Sequence, residues 1–111
     1  MNYNNRKFKP ISISKNGEVT QETVFVYKQE GYILTSEYKG SDIIKGHLIG
    51  IVDKDGNINM RYHQVNKNGE LMTGVCNSKP VLTSSGKLQL HESWHWTSGN
   101  KSKGASILEE V

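Results

Sequence analysis

A short glycine-closed device recurs along this chain, as Lys15-Asn16-Gly17, Lys54-Asp55-Gly56 and Lys67-Asn68-Gly69. In a three-residue hairpin loop the glycine takes the left-handed position that closes a G1 bulge, and the Asn or Asp before it tolerates the preceding turn. Ser84-Ser85-Gly86, Gln29-Glu30-Gly31, Lys39-Gly40-Ser41 and the longer Ser98 to Gly104 segment add further turn signals. Between them lie runs rich in Ile, Val, Thr, Tyr and Trp, side chains that fit a pleated surface. The spacing predicts strands near 7–14, 18–28, 32–39, 43–53, 57–66, 70–83, 87–97 and 104–110, with Pro80 bending or interrupting the sixth. No window carries sustained helical periodicity. A chain of 111 residues holds one core. The expectation is therefore a single all-β domain over 1–111, an antiparallel up-and-down meander of about eight strands. It forms a closed or nearly closed small barrel, a small sandwich being the other arrangement of such segments.

If the loops at 54–56, 67–69 and 84–86 each hold three residues, register follows by arithmetic. Asp53 then pairs with Asn57, Leu48 faces Tyr62, Gly46 faces Gln64 and Tyr62 faces Gly74. Gly74 in turn lies opposite Trp96, and Cys76 opposite Trp94. One even-numbered face thus collects Ile58, Met60, Tyr62, Gln64, Met72, Gly74, Cys76, Leu88, Leu90, Trp94 and Trp96. Large beside small is how a narrow barrel interior is filled, so the even face reads as the inside. Ile43, Ile49 and Ile51, with Phe25, Tyr27 and Ile33 earlier, have the opposite parity. Either a bulge shifts the phase there, or this outer patch is covered by the N-terminal segment or a second subunit, a homodimer being favoured.

Charge and cysteine content narrow the function classes. The net charge of +3 is spread over lysines at turns and chain ends, with no basic stripe, so nucleic acid is not an expected partner. Cys76 is the single cysteine, which excludes an intrachain disulfide and cysteine-rich metal sites. The polar N-terminus lacks the apolar run of a signal peptide, and no stretch approaches the roughly 20 apolar residues of a membrane-spanning helix. The expected address is the cytoplasm, with no membrane partner.

Of the side chains on the inner face, Tyr38, Tyr62, Gln64, Glu92, Trp94 and Trp96 combine apolar walls with a few convergent polar groups, which is the chemistry of a small-ligand pocket. Glu92 falls opposite Ser78 near a barrel end, where desolvation raises a carboxylate's pKa. The competing reading is a polar plug whose hydrogen bonds are satisfied internally. His47, His63, His91 and His95 all have odd parity. His47 and His63 face each other, while His91 and His95 stand roughly 13 Å apart on a strand and cannot share an ion. No metal site and no cofactor are expected. Cys76 and His63 lie on opposite faces, and no Gly-x-Ser-x-Gly elbow is present, so no catalytic residue is assigned. The Ser98–Gly104 loop, with Lys101 and Lys103, offers backbone N–H groups and two ammoniums to an anion, or is only a connection.

Gly46-His47-Leu48-Ile49-Gly50-Ile51-Val52-Asp53, Met60-Arg61-Tyr62-His63-Gln64, Leu71-Met72-Thr73-Gly74 and Trp94-His95-Trp96-Thr97-Ser98-Gly99 resemble small bacterial proteins often labelled n-acetylglutamate synthase. That resemblance runs over nearly the whole chain and implies a bacterial cytoplasmic protein, with acetyl transfer as its enzyme-class reading. At fold level, strand number, meander order and interior aromatics resemble calycin-type barrels, the lipocalin and avidin-like carriers. This likeness implies a small apolar or aromatic ligand bound without covalent chemistry. The leading expectation is therefore a non-catalytic ligand-binding barrel. A filled barrel serving as a structural or interaction module comes second, and an acetyltransferase third.

Overall fold

The computed structural model describes residues 1–40 and 42–111. Its strands are β1 (Lys7–Ile13), β2 (Phe25–Val26), β3 (Lys28–Glu30), β4 (Ile33–Gly40), β5 (Ile43–Val52), β6 (Ile58–Asn66), β7 (Leu71–Leu82), β8 (Leu88–Trp96) and β9 (Lys103–Glu110). All pairings are antiparallel, in the order β2-β1-β9-β8-β7-β6-β5-β4-β3. The two ends of that order, β2 and β3, are parted only by Tyr27 and belong to one stretch of chain. Tyr27 N–H donates to Arg6 O at 2.9 Å, and Asn5 N–H donates to Tyr27 O at 2.8 Å, which extends the β1–β2 pairing. The sheet thereby curls into a nearly closed barrel of eight strand positions, one of them broken at Tyr27.

The three-residue loops close as their sequences require. Gly56, Gly69 and Gly86 have φ of +86°, +78° and +85°, the left-handed region that glycine enters without a Cβ penalty. Each loop carries the same pair of backbone bonds, such as Asp53 N–H to Asn57 O and Gly56 N–H to Asp53 O. Register follows: Leu48↔Tyr62, Gly46↔Gln64, Tyr62↔Gly74, Gly74↔Trp96 and Cys76↔Trp94 all pair as expected.

Lys15-Asn16-Gly17 behaves differently. It is a turn closed by Gly17 N–H on Ser14 O, and no strand follows it directly. The expected strand at 18–28 is corrected to the pieces at 25–26 and 28–30, because residues 14–24 leave the sheet and cross one end of the barrel. The strand break at Pro80 is also corrected. β7 runs through Pro80, which pairs with Leu90 beyond the last residue bonded to β6, where the strand has one neighbour instead of two. The Lys39-Gly40-Ser41 turn ends on a residue outside the described ones.

A register shift between Ile43 and Lys45 resolves part of the parity conflict. Ile43 is 3 % exposed and Ile44 58 %, so the extra residue turns Ile43 inward. Phe25 and Tyr27 are also buried, so of the two alternatives the shifted phase holds for them and the outer patch does not. Ile33, Ile49 and Ile51 remain outside. The core divides by depth. Tyr3, Phe8 and Tyr27 pack edge-on or tilted, with ring centroids 5.2–6.2 Å apart. Tyr3 also donates its hydroxyl to Gly56 O at 2.6 Å, which ties the N-terminal segment across the end formed by the 53–57 loop.

Candidate functional site

Toward the other end the interior stays open. A cavity of about 60 Å³ is lined by Tyr38, Tyr62, Gln64, Glu92, Trp94 and Trp96, the six residues singled out from the sequence. Phe25, Tyr27, Leu48, Met60, Cys76 and Ser106 complete its walls, and Gly17, Glu18 and Val19 its cover. The space has a local cause. Tyr38, Tyr62 and Trp94 each lie directly across a ladder from a glycine: Gly46, Gly74 and Gly104. A Cβ on any of the three would lie 2.2–2.3 Å from the facing ring. The rings therefore lean over the neighbouring strand rather than filling the centre. Tyr62 meets Trp96 edge-on at 5.4 Å, and Trp94 meets Trp96 at 5.8 Å.

Glu92 is the polar centre. It stands mid-strand on β8, which corrects the expectation of a position near a barrel end. Its two cross-strand neighbours are Ser78 and Ser106, whose hydroxyls each donate to one carboxylate oxygen at 3.0 Å. Burial among aromatic rings pushes its pKa up to about 7, opposed by the hydrogen bonds from Ser106 and Ser78 and, least, by the nearby Cys76 thiol. Burial also raises the Cys76 thiol and the Tyr27, Tyr38 and Tyr62 phenols, so these groups stay protonated. The Tyr27 hydroxyl is the one buried side-chain group without a hydrogen-bond partner among the described residues.

The mouth is covered by the segment that replaced the expected second strand. Glu18 reaches in and accepts from Gln64 Nε2 at 2.8 Å with one oxygen and from Asn66 Nδ2 at 2.7 Å with the other. Tyr38 donates to Gln64 Oε1 at 2.8 Å, which fixes the amide so that its NH₂ points to Glu18. Trp96 Nε1 donates to Asn16 O at 3.0 Å, and Asn16 Nδ2 donates to Ser102 and Lys103. Glu18, Tyr27 and Ser106 escaped the sequence reading. Glu18 lay in a segment read as strand, and Tyr27 had the wrong parity. Ser106 faces inward only through the β8–β9 register, which no three-residue loop sets.

The histidines lie on the outer surface. His47 and His63 pair across β5 and β6 with rings 5.2 Å apart. No group of three or more metal-ligating residues is assembled among the described residues. Gln64 is followed by the Asn66–Glu70 hairpin rather than by a helix that could receive a pyrophosphate.

The model of a family described as avidin-like protein matches residues 1–111. No curated protein and no solved structure matches the chain. The likeness to proteins labelled n-acetylglutamate synthase finds no support in these comparisons.

Proposed function

This chain belongs to the avidin-like family, and from that premise we propose that it is a non-catalytic carrier of one small ligand, held in the aromatic cavity of the barrel. The observation that carries the reading is the open, ring-walled space with an inward carboxylate and an unpartnered hydroxyl. A barrel interior that needs only to be filled puts aliphatic side chains there. Tyr62, Trp94 and Trp96 form the wall, while Gln64, Tyr38 and Glu92 orient the ligand. A volume near 60 Å³ admits roughly four to six non-hydrogen atoms, so the ligand is compact and largely apolar.

Native mass spectrometry beside the denatured mass tests the carrier reading. An excess mass kept under gentle desolvation and lost on denaturation supports it. A clean polypeptide mass, with no small molecule of a fragment set raising Tm, overturns it.

The second reading is an interaction module, favoured by the outward cluster of Tyr32, Ile33, Ile49 and Ile51, where Ile33 and Ile51 pair directly. Scattered apolar residues on a surface are ordinary, but a contiguous set marks a contact. A homodimer through this face is the form we propose. Sedimentation velocity of the native chain beside Ile51→Lys tests it, a concentration-dependent dimer lost in the variant being the expected result. Phe25 lies inside and takes no part in such a face.

A further inference from the structure

The polar lining of the cavity is one-sided. Two carboxylates face it, Glu92 at mid-depth and Glu18 at the mouth, and no Lys, Arg or His of the described residues lines it. The ion pairs among the described residues, Arg6–Glu110 and Lys67–Asp42, involve neither carboxylate. A carboxylate has about four acceptor positions. Glu92 accepts one hydroxyl on each oxygen, from Ser78 and from Ser106, so acceptor positions remain on a side chain that lines the cavity. An enclosed anion without a partner charge is costly; a proton removes that cost below the Glu92 pKa, and above it a bound cation does. The walls favour the same sign, since the faces of tyrosine and tryptophan rings attract cations. The Tyr27 hydroxyl, fully buried and unpartnered, adds an acceptor in the same cavity.

We propose that the cavity takes a small organic cation, an alkylamine whose ammonium group sits against Glu92 and Tyr27 between the rings of Tyr62 and Trp94. This rests on the carrier reading above and specifies its ligand class. Above the Glu92 pKa a carboxylate ligand would meet a like charge, and a neutral isostere would leave Glu92 uncompensated. The groups facing Glu92 are Cys76 and Ser78 from β7, Ser106 from β9, Tyr38 from β4 and Tyr62 from β6. Tyr27 between β2 and β3 and Glu18 of the covering segment complete the set. Burial keeps the thiol and phenols protonated, which leaves the carboxylates to carry the charge. Because a cation pairs with the ionised form, affinity is expected to fall about tenfold per pH unit below the Glu92 pKa of about 7.

The test uses the full chain with propylammonium, 1-propanol and propionate, three probes of one shape and different charge. Binding is read by the fluorescence of Trp94 and Trp96 and by titration calorimetry at pH 8. The expected result is that propylammonium binds at least about tenfold more tightly than 1-propanol or propionate, and that Glu92→Gln removes this preference while near-UV circular dichroism is kept. Should Glu92→Gln fail to fold, the pH profile of the unmodified protein replaces it, with the loss centred near pH 7 as the supporting outcome. Equal binding of 1-propanol overturns the cation assignment and leaves the carrier reading standing. No response to any of the three overturns the assignment as well, and a clean native mass then removes the carrier reading too.

Discussion

Gly74 and Tyr62 face each other across β6 and β7 so closely that a Cβ on the glycine would lie 2.2 Å from Cζ of the ring. The missing side chain is what allows the ring to lie back, and with Gly46 under Tyr38 and Gly104 beside Trp94 it keeps the centre of the barrel open.

Gly74→Ala should therefore cost stability and volume together. The methyl must push the Tyr62 ring inward, an overpacking that costs roughly 1–3 kcal/mol. Urea denaturation is expected to show the lower midpoint with an unchanged slope, and a crystal structure of the variant the smaller cavity. An unchanged midpoint would show that the ring is free to move elsewhere.

Glu92 sets a pH dependence of unusual sign. Its pKa is about 7 in the fold against an ordinary 4.5, so between those values the folded protein binds more protons than the unfolded chain. The contribution is fully present below pH 4.5 and is lost as pH rises through 7. The loss amounts to ~3 kcal/mol for a displacement of this size. Thermal melts of Glu92→Gln between pH 5 and 8 should lack this decline. A parallel decline in both proteins would assign it to other groups.

Tyr27→Phe is expected to stabilise the empty barrel or leave it unchanged. A buried hydroxyl without a partner carries a desolvation cost of about 1–3 kcal/mol, which the phenyl ring avoids while filling nearly the same space. Chemical denaturation without ligand measures this. A loss above about 1 kcal/mol would mean that the hydroxyl has a partner in solution.

Glu18→Ala should loosen the cover with little effect on the barrel. Two hydrogen bonds, to Gln64 and Asn66, disappear, and the sheet keeps every ladder bond. Acrylamide is expected to quench the tryptophans more strongly, because Trp96 is shielded by the same segment through Asn16. Unchanged quenching would show that Asn16 and Gly17 hold the cover without it.

Much of this fold is written locally. Each glycine at the third position of a 54–56, 67–69 or 84–86 loop fixes a hairpin, and each hairpin fixes a register. The inward placement of Tyr62, Gln64, Glu92, Trp94 and Trp96 therefore follows by counting residues. Where no short loop intervenes the counting fails. The same Lys-Asn-Gly signal at 15–17 opens a covering segment, since β1 finds its partners in β9 and in Phe25–Val26 instead of in the residues that follow it. Likewise, Ile43 reaches the interior through a bulge that nothing in its own sequence announces.

What the sequence determined by itself is thus the all-β class, the meander from β5 to β8 and, beyond the bulge at Ile43–Lys45, the face of the side chains along it, because turn chemistry and two-residue alternation are properties of neighbouring residues. What only the tertiary structure decided is the seam at Tyr27, the Glu18 cover, the pairing of Glu92 with Ser106 as well as Ser78, and the existence of a cavity. Those depend on how far the sheet curls and where rings from separate strands come to rest. Empty space belongs to the packing of many distant residues, and no single stretch of chain encodes it.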